Sequence, residues 1–276
     1  MKHNLKKTTL SLIISFFLTC LLILAFLCAV LKFTVCNENY MVASAKNSGY
    51  VGDVKEYVTR EFLNLSEVSR IPRELIDDFI EENFEETDVL YSITSSYGGR
   101  IKSLNFTPLK KSFEEMLYSY ALTLDAEIDF KEFSENISDQ AERYVEIYKE
   151  AVCAESFFVP FKAAVSVINN YSGLVFIFSI AVALILFFVL YMKNKGTLKG
   201  NRYIYYSFSS ASVVLIFSSF LALYFDVAKK TVLRPQYIFN FVSSFLESVF
   251  VLVFCLGISI LILTVVLMIY KSKRSR

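Results

Sequence analysis

Four long uncharged apolar runs and one large acidic insert predict an all-α integral membrane protein. It has four transmembrane helices and a helical-bundle extracytoplasmic domain between helices 1 and 2. Three observations carry this expectation. Of 276 residues, 55% are apolar, including 27 Phe and 17 Tyr but no Trp, which suits a membrane chain if the apolar residues are segregated. They are: residues 10–31, 172–192, 207–225 and 248–270 contain no Asp, Glu, Lys or Arg, and roughly 20 such residues in a helix cross about 30 Å of hydrocarbon. Finally, residues 36–170 hold 25 of the 27 acidic residues.

Taken in order, residues 1–9 form a basic cytoplasmic tail. Residues 10–35 form the first transmembrane helix and its outer exit. This run is longer than a signal core of about 7 to 15 residues and leaves through Lys32 and Phe33 without an Ala-x-Ala pattern, so it reads as a retained anchor. No small residues precede Cys28 or Cys36 in the manner of a lipoprotein signal. Residues 36–170 form the acidic outer domain, and residues 171–192 the second span. Residues 193–206 make a basic cytoplasmic loop and 207–225 the third span. Residues 226–247 are a short outer loop and interfacial segment, 248–270 the fourth span, and 271–276 a basic cytoplasmic tail. Lys2, Lys6 and Lys7, then Lys193, Lys195, Lys199 and Arg202, then Lys271, Lys273, Arg274 and Arg276 all fall on one side of a four-span chain. Basic flanks favour the cytoplasm, which places both termini there. Tyr171, Tyr191, Tyr203, Tyr224, Tyr237 and Tyr270 sit near the proposed interfaces, where an aromatic ring with a polar tip is stable.

Within the outer domain the apolar spacing is helical. Asp53 opens a helix with Val54, Tyr57, Val58, Phe62 and Leu65 on one side. Pro72 starts a second, striped by Leu75, Ile76, Phe79 and Ile80. That helix, or a separate one after Thr87, continues through Val89, Leu90 and Ile93 to Gly98 and Gly99. Thr107 and Pro108 begin another, striped by Leu109, Phe113, Met116, Leu117 and Tyr120. Ser134 caps the last, in which Ile137, Ala141, Tyr144, Tyr148 and Val152 recur at bundle spacing. Phe157, Phe158, Val159, Pro160 and Phe161 then form either core at the base of the bundle or an interfacial foot.

Charge is strongly divided. Residues 36–170 carry 13 basic against 25 acidic residues, net −12, within a chain of formal charge +1. So acidic a segment is repelled by nucleic acid, which is excluded as a partner. Catalytic residues, metal sites and cofactors are not expected. The single histidine, His3, lies in the N-terminal tail, and no phosphate-binding or dinucleotide-binding glycine pattern occurs. Asp125, Glu127, Asp129 and Glu132 resemble the start of a calcium loop, but Phe130 and Asn136 stand where such a loop needs Gly and Glu. Four N-x-Ser/Thr sequons begin at Asn64, Asn105, Asn136 and Asn170. The short tails and the richness in Lys, Asn, Ile and Phe fit a low-GC bacterium and its cytoplasmic membrane, where sequons carry no meaning.

Three groups of residues stand out. Asp77, Asp78, Glu81, Glu82, Glu85 and Glu86, continued by Asp88, form a dense acidic run without basic neighbours in sequence; it reads as a solvated face or as a docking face for a basic partner. Ser207, Ala211, Ser218 and Ala222 repeat at spacings of 4, 7 and 4, as do Ser244, Ser248, Cys255 and Ser259. Small residues so placed predict a seam between the third and fourth spans. Cys36 and Cys153 both fall outside the spans and are candidates for a disulfide, which requires Cα atoms within about 7 Å.

These features point to a non-enzymatic multi-pass membrane protein whose outer domain binds or scaffolds a protein or envelope partner, or a second copy of itself, with membrane lipid around its spans. An alternative comes from layout. Four spans, cytoplasmic termini, a large first outer loop and a small second one resemble the permease-like subunit of the bacterial cell-division ABC complex, in topology only. The resemblance implies a force-transmitting role beside a separate ATPase, some strand structure in the first outer loop and a cytoplasmic coupling helix. Claudin-like proteins share the layout, but their first-loop Trp is absent here.

Overall fold

The structure is a computed structural model. It describes residues 2–95, 97, 104–123, 130–193, 199–230 and 233–274, with no account of side chains at 2–7, 130–133, 199–201 and 271–274. Among the described residues the chain is helical throughout, without a strand. The elements are α1 (Lys2–Phe33), α2 (Glu38–Asn47), α3 (Tyr50–Ser69), α4 (Arg73–Asn83), α5 (Glu86–Ser95), α6 (Thr107–Thr123), α7 (Phe130–Cys153), α8 (Glu155–Lys193), α9 (Lys199–Tyr224), a 3₁₀ turn (Val227–Lys230) and α10 (Gln236–Arg274). Four helical stretches are long and apolar enough to cross a membrane: Thr8–Phe33, Ser134–Lys193, Arg202–Tyr224 and Gln236–Tyr270.

Two compact units emerge. The first comprises Met1–Met41, Val165–Leu233 and Val242–Arg276. Its polarity is inverted relative to a water-soluble bundle: Ser15, Ser179, Ser207, Ser212 and Ser219 are buried, whereas Phe16, Phe17, Leu174, Ile177, Phe178 and Leu263 are exposed. Hydroxyl hydrogen bonds accompany the burial of four of these, whereas the Ser179 hydroxyl has no partner among the described residues. Ser15 and Ser207 are joined by a 2.7 Å hydrogen bond between α1 and α9, and the Ser15 hydroxyl lies 3.0 Å from the Tyr203 carbonyl. Ser212 and Ser219 donate within α9 to the carbonyls of Phe208 and Leu215. Small side chains so satisfied let helices approach where apolar bulk would hold them apart. Leu18, Leu22, Ala183, Leu190, Ile204 and Ala211 form one apolar cluster, and Val30, Leu215 and Val253 another.

The second unit comprises Val42–Ala164 and Arg234–Phe241. Its centre is aromatic. Phe113 stacks on Tyr144 with centroids 4.1 Å apart, while Phe62 meets Tyr144 and Phe79 meets Phe113 edge-on, each at 4.8 Å. Each ring comes from a predicted stripe, because residues three and four apart share a helix face. All five stripe residues of α7, Ile137, Ala141, Tyr144, Tyr148 and Val152, are buried.

Several boundaries differ from expectation. Asp53 does not open its helix; α3 begins at the fully buried Tyr50, after Gly49 turns the chain at φ 76°, a conformation glycine adopts without a Cβ penalty. Helix α2 has no counterpart in the stripes, though Asn37 supplies an ordinary start signal: its side-chain oxygen accepts the amides of Asn39 and Tyr40 at 3.0 and 3.3 Å. Of the two readings of the acidic run the separate helix holds, with α4 ending at Asn83 and α5 beginning at Glu86, just before Thr87. Ser134 is not a cap, because α7 starts at Phe130; Phe130 and Phe133 extend the apolar spacing back from Ile137. Of the run 157–161, which lies within α8, Phe158 is buried and Val159 and Pro160 are exposed. The expected stop at Gly98 and Gly99 lies outside the described residues.

Candidate functional site

The second unit contains a cleft of about 530 Å³ lined by Tyr57, Glu146, Lys149, Glu150, Cys153, Glu155, Ser156, Pro235 and Tyr237. Helix periodicity assembles it. Tyr57 flanks the buried α3 column of Tyr50, Val54, Val58 and Phe62, so its ring lies at the edge of the core rather than in it. Glu146, Lys149, Glu150 and Cys153 stand at spacings of three and four on α7, forming a second face beside the buried stripe. Helix α7 ends at Cys153, and Ala154, at a φ of 41°, redirects the chain into α8, which starts with Glu155 and Ser156. The last wall is the first turn of α10. Asn240 donates to Asp53 Oδ2 at 2.8 Å, and Phe241 lies 4.8 Å from the Tyr50 ring. Those contacts bring Tyr237 to 5.0 Å from Tyr57, with the rings inclined by 56°.

Electrostatics leave the cleft anionic. Three glutamates face a single lysine, and the remaining polar groups stay neutral at ordinary pH. Burial raises the Tyr237 hydroxyl pKa, with further effects from Tyr57 and Glu150. Burial also raises Tyr57, followed by Glu61 and Glu150, against an opposing pull from Arg60. Cys153 is raised by burial and then by Glu155. The Arg60 guanidinium carbon lies 5.5 Å from the centre of the Tyr57 ring, so this aromatic wall already attracts one cation.

The acidic run takes a different form from its sequence. Two basic partners remote along the chain arrive in space, Lys55 Nζ at 2.7 Å from Glu81 and Lys46 Nζ at 3.0 Å from Glu86, and Arg73, one turn earlier on α4 itself, places its Nε 3.3 Å from Asp77. The Lys55 hydrogen bond holds the Glu81 carboxyl below its usual range. Such exposed pairs are weak, but they shrink the one-signed field. Asp78 and Glu82 have no ion pair among the described residues. Glu85 lies between α4 and α5, where its carboxylate accepts the Thr87 hydroxyl at 3.1 Å. Asp88 accepts from the Tyr148 hydroxyl at 3.3 Å and is raised by burial and by Glu85.

The small-residue columns do not act as one α9–α10 seam. Ser207 and Ala211 are buried, but Ser207 bonds to α1. Ala222 and Ser244 are half-buried, and Ser218 and Ser259 are exposed with hydroxyls bonded within their own helices. Ser248 meets the Tyr40 hydroxyl at 3.1 Å, and Cys255 is exposed. The tight approach of α10 to α9 uses Gly257: a Cβ there would lie 2.8 Å from Ile216 Cγ1 and 3.2 Å from the Ser212 carbonyl. Helical drift explains the change of residue, because a straight helix does not keep a strict seven-residue column on one face. Cys36 and Cys153, the candidates for a disulfide, are both free thiols. Asp125, Glu127 and Asp129 lie outside the described residues, as does the Glu132 side chain.

Sequence reasoning missed the cleft because Tyr237 lies far along the chain from Tyr57. The available signal was the spacing of Glu146, Lys149, Glu150 and Cys153, which continues past the buried stripe. Compared with protein-family models, curated proteins and solved structures, the chain matches none.

Proposed function

We propose that this chain is a multi-pass membrane protein of the bacterial cytoplasmic membrane, with both termini cytoplasmic, whose outer helical domain is a non-enzymatic binding module for a protein or envelope component. The observation that carries the reading is the segregation of 25 of 27 acidic residues into residues 36–170, a segment with its own aromatic core, whereas the other unit exposes large apolar side chains. The first pattern suits water and the second suits lipid. The permease-like alternative has less support, since it implied strand structure in the first outer loop and the described part of that loop is helical.

Cysteine labelling on intact cells tests the topology. Ser95→Cys reacts with an impermeant maleimide and Thr197→Cys, in a loop outside the described residues, does not; the reverse pattern overturns the arrangement. Photo-crosslinkers at Asp78 and Glu82 test the binding role. A specific adduct to one partner or to a second copy of the chain, weakened by salt, supports it. Absence of any adduct at both positions, and at a third placed on Glu146, removes it.

A further inference from the structure

The cleft between α3, α7 and the first turn of α10 has two kinds of wall. One is aromatic, from Tyr57 and Tyr237, and the other is acidic, from Glu146, Glu150 and Glu155. Its volume of about 530 Å³ falls in the range of about 300 to 1,000 Å³ typical of small-molecule sites. We propose that it binds an organic dication: a diammonium or longer polyamine whose charged nitrogens pair with Glu146 and Glu150 while its methylenes lie along the half-buried Tyr57 ring, which the buried Tyr237 backs.

Charge sets the valence. Three carboxylates against Lys149 leave a surplus of two negative charges among the lining groups, and none of the three glutamates is ion-paired among the described residues. Spacing sets the shape. Glu146 and Glu150 stand at i and i+4 on α7, where Cβ atoms are about 5 to 6 Å apart, similar to the nitrogen separation across a short methylene chain. A compact metal ion fits less well. Among the described residues no three His, Cys, Asp or Glu side chains gather closely enough to hold one, so these carboxylates are spread along the cleft rather than converging. The aromatic wall suits an alkylammonium, since a ring face attracts both the cation and its apolar stem.

This inference goes beyond the partner-binding reading, adding a small-molecule ligand at a second site of the outer domain. It does not rest on the domain's side of the membrane. The full chain in phosphatidylcholine nanodiscs, open to both faces and without anionic lipid, is titrated calorimetrically with 1,4-diaminobutane, spermidine and butylamine. Saturable binding of both polyamines is expected, at least about tenfold tighter than butylamine, as for loss of one charge-assisted contact. The exposed pair Glu146→Gln with Glu150→Gln weakens it by about tenfold or more. The control pair Glu114→Gln with Glu115→Gln, on α6 and outside both the cleft and the acidic run, leaves it unchanged, and circular dichroism checks folding in each. No saturable binding, equal affinity for butylamine, equal weakening by both pairs, or complete displacement by equimolar calcium each overturns the proposal. A failed titration leaves the labelling result standing, and reversed labelling leaves the titration standing.

Discussion

Replacing Tyr144 by Phe should stabilise the second unit, although it deletes a polar group from a natural core. Tyr144 is 1% exposed and stacks on Phe113 at 4.1 Å, with Phe62 edge-on at 4.8 Å. Its hydroxyl has no hydrogen-bond partner among the described residues, and burial raises its pKa. A buried hydroxyl without a partner costs about 1 to 3 kcal/mol. Removing the oxygen forfeits a handful of contacts at about 0.1 to 0.2 kcal/mol each. The net gain is therefore about 1 kcal/mol, or roughly a fivefold shift in an opening equilibrium. Hydrogen exchange on the full chain in nanodiscs reads this directly, since slow amides of α6 and α7 report opening of the core. They should exchange roughly fivefold more slowly in Tyr144→Phe, whereas Phe113→Ala should lower stability by about 3 to 5 kcal/mol. Faster exchange in Tyr144→Phe would mean that the hydroxyl is bonded and that the ring cluster is not the dry core described.

Asp88→Asn should flatten part of the pH dependence. Burial and Glu85 raise the folded pKa of Asp88 above its unfolded value, so its favourable contribution is full below the unfolded pKa and is lost as pH rises through the folded one. Thermal unfolding should therefore show the variant gaining on the parent between acidic and neutral pH; a parent that gains instead refutes the sign. Gly257→Ala places a Cβ 2.8 Å from Ile216 Cγ1 and should cost about 1 to 3 kcal/mol of α9–α10 packing; an unchanged melting temperature in bilayers would show that the helices part there freely. A double-mutant cycle on Ser15→Ala and Ser207→Ala should return a coupling of about 0.6 kcal/mol, as for hydrogen bonds between membrane helices, and a coupling of zero removes the 2.7 Å bond from the account.

Much of the architecture depends only on local periodicity and was legible without coordinates. Helical class, the four runs apolar enough to cross a membrane, and the aromatic core positions of α3, α4, α6 and α7 all follow from spacing along one chain segment, because a helix converts sequence spacing into a shared face. The absent basic partners of the acidic run were a sequence artefact of the same locality. Lys46 and Lys55 lie on α2 and α3, and only packing carries them to Glu86 and Glu81.

What tertiary structure alone decided concerns pairs distant in sequence. Ser207 was expected to face α10 and bonds to Ser15 on α1 instead, and Gly257 rather than a serine column makes the close α9 contact. Tyr57 and Tyr237 meet across 5.0 Å although separated by most of the chain. Periodicity names the face a residue occupies but not the helix that will cover it. That choice is made by the summed fit of side-chain volume, hydroxyl satisfaction and ring geometry over whole interfaces, which no single stripe records.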